Sequence, residues 1–133
     1  MYYARMERGL HAFGRVAVAL VWLYNGLWCK LLQRCPDHVA IVSSSFGGAT
    51  TGQAVLLTLG AVETAIAVWV LAGWRPRLAA TVQTLLVAGM NAGGLLWGGA
   101  AAPSPGDLIV RNLAFVALVW LVAAHPERPD GRG

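Results

Sequence analysis

Residues 21–35 read VWLYNGLWCKLLQRC. The stretch begins as a membrane segment, then places an asparagine, a lysine and two cysteines where lipid tolerates such groups poorly. Its reading decides between a redox dithiol, a buried polar site and the ragged end of a helix. The rest of the chain supplies the context for choosing.

The chain has 133 residues, of which 57% are hydrophobic and 12% charged, and its mean hydropathy is +0.59. Soluble domains carry about a quarter charged residues, and a chain this short cannot hide so much apolar surface in one core. The composition therefore predicts a single all-α membrane domain over residues 1–133. The pI near 9.7 does not point to nucleic acid, because the ten Lys and Arg flank apolar segments instead of forming a basic face. Arg5, Arg8 and Arg15 before an apolar run also fit a signal peptide. No small-x-small cleavage site follows, and Trp28, Lys30 and Leu31 stand where one belongs, so the first segment is expected to be retained.

Four apolar stretches, about 14–33, 54–73, 78–98 and 106–124, each approach the roughly 20 residues that cross a bilayer as a helix. Helices are expected because lipid leaves backbone polar groups no outside partner. The third stretch is rich in Gly and Ala, which predicts burial among neighbouring helices, and its Gly94-x3-Gly98 reads as a packing motif. The fourth opens on Ser104-Pro105-Gly106-Asp107, a capping arrangement with proline at the first helical position. His125-Pro126 closes it. Seven of the basic residues lie at the N-terminus, the 2–3 turn (Arg75, Arg77) and the C-tail; Lys30, Arg34 and Arg111 lie opposite. The asymmetry predicts both termini in the cytoplasm. The outer loop, 34–53, is expected to hold a short interfacial helix starting near Pro36-Asp37, followed by a flexible Gly-rich stretch from Ser43 to Gly52.

Every span carries a polar residue: Asn25, Glu63, Gln83 and Asn91, then Arg111 and Asn112. Asn25, Asn91, Arg111 and Asn112 fall at similar depths, on the order of 8–12 Å from the outer face at 1.5 Å per residue, with Glu63 somewhat deeper. Together with Lys30 they form a candidate outer-half polar layer. A carboxylate at Glu63 must face the bundle, pair, or hold a proton; Gly60 and Ala67 on its face would let another helix approach closely. Arg111 is the expected partner and Lys30 the second choice, unless Arg111 pairs locally with Asp107. The pair serves either as a structural lock or as part of a ligand or proton-linked site. Asn25 and Asn91 are expected to be interhelical hydrogen-bond contacts. Trp22, Asn25 and Cys29 share one stripe of an α-helix, which is expected to be a packed face, with contact to a flat ligand such as a quinone as the alternative.

Cys29 and Cys35 match neither a zinc site nor a CxxC motif. On an unbroken helix they point to opposite sides, so a disulfide between them requires the helix to end near Leu32. No metal ligands or catalytic residues are assigned.

Trp22-Leu-Tyr-Asn-Gly-Leu-Trp-x-Lys30-Leu, Pro36-x-His38, Ile41-Val42, Gly60-Ala-x-Glu63 and Arg111-Asn112-Leu together resemble the DoxX-like family of small four-helix bacterial membrane proteins. The resemblance implies a multi-pass protein of the bacterial inner membrane, with Asn25, Lys30, Glu63, Arg111 and Asn112 as polar candidates. The wider group includes subunits associated with quinone-linked sulfur oxidation and with a membrane oxidoreductase complex of thiol stress. The chain has no CxxC, haem-ligand pair or flavin motif, so no residue inherits redox chemistry. The leading expectation is an accessory subunit of a larger membrane complex, requiring no cofactor. The alternatives are a quinone- or lipid-binding oxidoreductase component and a proton-coupled transporter acting as a homo-oligomer.

Overall fold

A computed structural model describes residues 2–36, 39–40, 49–97 and 104–124. Four helices long and apolar enough to cross a membrane account for nearly all of them. Helix α1, Tyr2–Leu23, continues without a break into a π-helical segment, Tyr24–Leu31. Helices α2, Ala49–Ala72, α3, Pro76–Trp97, and α4, Pro105–Ala124, complete an up-down-up-down bundle. The helices form two close antiparallel pairs, α1 with α2 and α3 with α4, seamed along α1/α4 and α2/α3.

Local chemistry sets the helix ends. Gly73, at φ 71°, closes α2 in the left-handed conformation, its N–H donating to the carbonyls of Trp69 and Val70. Pro105 occupies the first position of α4, where its missing N–H loses nothing, and the Leu108 N–H donates to the Ser104 carbonyl. His125-Pro126, expected to end α4, lies outside the described residues, as do His38, Gly98 and most of the outer loop. Of the expected interfacial helix, Pro36, Val39 and Ala40 are described and are helical. The stretch expected to be flexible up to Gly52 ends instead in the first turn of α2. At the other extreme, α1 starts well before residue 14. Together with the π segment it runs 30 residues, about 45 Å against a hydrocarbon core of roughly 30 Å. Tyr2–Leu10 are all exposed.

The core joins Val18, Ala19 and Trp22 of α1 to Ile66, Ala67 and Val70 of α2, Ala80 and Val87 of α3, and Val119 and Ala123 of α4. Trp22 reaches across the bundle diagonal, stacking edge-on against Phe115 at 5.5 Å and donating from Nε1 to Gln83 Oε1 at 2.7 Å. A second tryptophan, Trp120, ties α4 to α3 through Thr84 Oγ1 at 2.9 Å.

The small residues of α3 depart from expectation. Its buried face is Ala79, Ala80, Gln83 and Val87, so helical periodicity turns Ala88, Gly89 and Ala92 outward, where they are exposed. A methyl group added at Gly89, Gly93 or Gly94 would meet no atom within 4 Å. The glycines that do bring helices together are Gly26 and Gly60. A Cβ at Gly26 would lie 2.7 Å from Glu63 Cβ and 2.9 Å from the Gly60 carbonyl oxygen. A Cβ at Gly60 would lie 2.9 Å from both the Gly26 carbonyl oxygen and Lys30 Cβ.

Gly26→Ala and Gly60→Ala should therefore each destabilise the bundle by about 1–3 kcal/mol through overpacking. Gly93→Ala should be near neutral. Unfolding in mixed micelles would measure all three, and equal effects at positions 60 and 93 would contradict the close crossing.

Candidate functional site

The Gly26–Gly60 contact presses the π segment against α2 where both carry charge. Opening the helix from i→i+4 to i→i+5 hydrogen bonds, as in the Leu32 N–H to Leu27 carbonyl bond of 2.9 Å, brings residue 30 over residue 25. The Lys30 ammonium then donates to the Asn25 carbonyl at 3.3 Å and to Glu63 Oε2 at 2.9 Å. The partner of Glu63 is thus Lys30, not Arg111. Glu63 is 0% and Lys30 5% exposed, so the lysine turns into the bundle instead of reaching the interface. Glu63 Oε1 is buried and, among the described residues, has no hydrogen-bond partner. An ammonium and a carboxylate in contact approximate a neutral unit, which apolar surroundings tolerate far better than either charge alone.

The remaining polar residues do not join this pair in one layer. Asn112 Nδ2 donates to Asn91 Oδ1 at 2.6 Å and to the Leu108 carbonyl at 2.8 Å, forming a separate α3–α4 tie. Such contacts between membrane helices contribute about 0.6 kcal/mol on average. Asn25 Nδ2 bonds back to the Val21 carbonyl of its own helix, and among the described residues its side chain makes no interhelical hydrogen bond. Arg111 is exposed on α4, and among the described residues it forms no ion pair, with Asp107 or otherwise. Four polar residues of similar depth are split because depth does not fix helix rotation: Asn112 faces α3 and Arg111, one residue earlier, faces away.

Cys29 and Cys35 form a disulfide, with their Cα atoms 4.6 Å apart. The helix stops at Leu31, Gln33 takes φ 54°, and the chain doubles back so that the Arg34 N–H reaches the Trp28 carbonyl. The bond ties the residue before Lys30 to the start of the loop between α1 and α2. Cys29 is wholly buried. Of the Trp22–Asn25–Cys29 stripe, Trp22 and Cys29 pack in the interior. Among the described residues no three His, Cys, Asp or Glu side chains group as a metal site.

Sequence reasoning missed the Trp22–Gln83 bond, the inward turn of Lys30 and the placement of His11 and Arg15. The last two line a cavity at the opposite end of the bundle. The adjacency of Gly26 and Gly60 to the charged residues was the available signal for the ion pair; nothing in the residue types announced the π-helical widening.

Lys30→Met and Glu63→Gln should each lower stability by about 3–5 kcal/mol, since each leaves a buried polar partner uncompensated. The double variant should lose less than the sum by at least about 1 kcal/mol; strict additivity would refute direct pairing. For the cysteines, alkylation of the unfolded protein should add no mass before reduction and two adducts after it.

The model of the DoxX-like family matches residues 19–120, a range that spans Lys30, Glu63, Asn91, Arg111 and Asn112. Comparison with curated proteins and with solved structures gave no match.

Proposed function

The chain belongs to the DoxX-like family, and on that footing we propose that this small integral membrane protein is an accessory subunit of a larger, redox-linked complex in the bacterial inner membrane. The observation that carries the reading is Arg111. It projects from α4, the least buried of the four helices, beside Val110 and Leu113, which are 66% and 67% exposed. A guanidinium on a lipid-facing surface calls for an anionic partner or a path to the interface. Asp107, one turn away, does not form an ion pair with it. A carboxylate on a neighbouring membrane subunit meets that need, and the apolar side chains around Arg111 supply the contact area.

The disulfide fits a compartment outside the cytoplasm, in keeping with an orientation that puts both termini inside. It also fits residence near thiol chemistry, although the burial of Cys29 favours a structural role. Quinone binding in the outer polar layer has less support. The helix backbones touch at Gly26 and Gly60, so nothing as thick as a ring fits between them at that level. Proton-coupled transport through Glu63 is likewise less favoured, because the carboxylate is clamped to Lys30 within a closed contact.

The test is purification of the tagged chain from native membranes in mild detergent, with co-purifying proteins identified by mass spectrometry. A defined membrane partner is expected, and Arg111→Leu should reduce its recovery at least tenfold while leaving thermal stability unchanged. Undiminished recovery with Arg111→Leu, or no partner for the unaltered protein, would overturn the proposal.

A further inference from the structure

Helix α1 outruns its neighbours at the end of the bundle away from Lys30. Val122, near the end of α4, lies against His11 and Gly14. Gly73, which closes α2, lies beside Arg15. Tyr2–Leu10 extend past these contacts by about 14 Å at 1.5 Å per residue, and every one of them is exposed.

This overhang has two faces. Tyr2, Met6, Leu10 and Phe13 are 76%, 45%, 63% and 73% exposed, and at 100° per residue they fall within a sector of about 80°. Leu20, 58% exposed within the span, falls in the same sector. The apolar stripe of the overhang is thus the lipid-facing stripe of the span, carried on past the neighbouring helices. Arg5 and Arg8, both exposed, lie between this sector and the side on which Val18 and Trp22 enter the core. Glu7 lies beyond the opposite edge of the stripe, so the carboxylate and the two arginines flank it on different sides.

The length of α1 decides what covers the stripe. An upright helix of 30 residues would leave its last turns, about 15 Å, beyond the hydrocarbon core, with large apolar side chains in water. Leaning the helix returns them to lipid. A helix at the membrane boundary with basic residues beside an apolar stripe sinks the stripe into the acyl region, and its arginines reach the phosphates. Continuity with Leu20 identifies lipid as the occupant, and the bordering arginines select lipid of negative charge.

We propose that residues 2–13 of α1 form a docking segment for an anionic membrane surface, with Tyr2, Met6, Leu10 and Phe13 in the acyl boundary and Arg5 and Arg8 at the headgroup phosphates. The assignment is independent of the Arg111 face on α4.

Both native cysteines are held in the disulfide, so Met6→Cys can carry a single nitroxide on the full chain. In nanodiscs of equal phosphatidylglycerol and phosphatidylcholine, that label should collide at least fivefold more with oxygen than with a water-soluble nickel chelate. Leu10→Cys should give the same reading, and Ala4→Cys, on the opposite face, the reverse order. Arg5→Gln and Arg8→Gln should each lower the ratio of lipid-exposed to water-exposed label at position 6 by about fivefold. Pure phosphatidylcholine should act as the double variant does. A label at position 6 that the chelate reaches freely in both lipid mixtures would overturn the proposal. A label shielded from both reagents would place protein on the stripe, a second copy if spin–spin broadening accompanies it, and would overturn it as well. A ratio unchanged both by the double variant and by removal of phosphatidylglycerol would overturn the anionic assignment.

Discussion

Within the described bundle, the contact of Gly26 with Gly60 makes the Lys30–Glu63 pair possible. A carboxylate and an ammonium inside a bilayer-sized bundle must meet each other closely, because neither finds water there. The meeting requires two backbones nearly in touch, and a methyl group at either glycine would hold them apart. The widened π-helical turn then supplies the rotation that aims Lys30 inward. From that contact α1 and α2 act as one unit, against which the Trp22–Gln83 bond and the apolar core align the α3–α4 pair, itself tied by the Trp120–Thr84 bond.

Much of the fold could be read from residue order because lipid imposes so few choices. Four apolar runs of the right length imply four helices, and a glutamate within one implies a partner. The choice of partner was not legible. Counting depth along straight α-helices placed Lys30 at the interface and Arg111 near Glu63, whereas rotation decides the matter. Lys30 turns inward through i→i+5 bonding that residue types do not encode, and Arg111 turns outward while its neighbour Asn112 turns in. The cysteines follow the same logic. A uniform 100° per residue sets them apart, yet the helix ends at Leu31 and a left-handed Gln33 brings Cys35 back. For α3, a high content of glycine and alanine was a weaker guide than their phase, which faces several of them away from the core.

The two ends of the bundle have different characters. One is closed, with its charges paired and its turn fastened by a disulfide. The other is open, with basic side chains and tryptophans around a small cavity. A third environment lies on the flank of α4, where Arg111 stands among exposed aliphatic side chains. Rigidity and partner contact would thus occupy separate regions, and each could change without dismantling the other.

The Lys30–Glu63 pair also bears on how the chain enters the membrane. A lysine presented alone at the centre of a membrane helix opposes insertion by about 2.5–3.5 kcal/mol, and an isolated carboxylate is similarly disfavoured. Spans one and two each carry one of these groups, with opposite sign. Leaving the insertion machinery as a hairpin would let each offset the other before either meets lipid alone. Biogenesis would then proceed two spans at a time, a difference that glycosylation-tagged fragments ending after one span or after two would reveal.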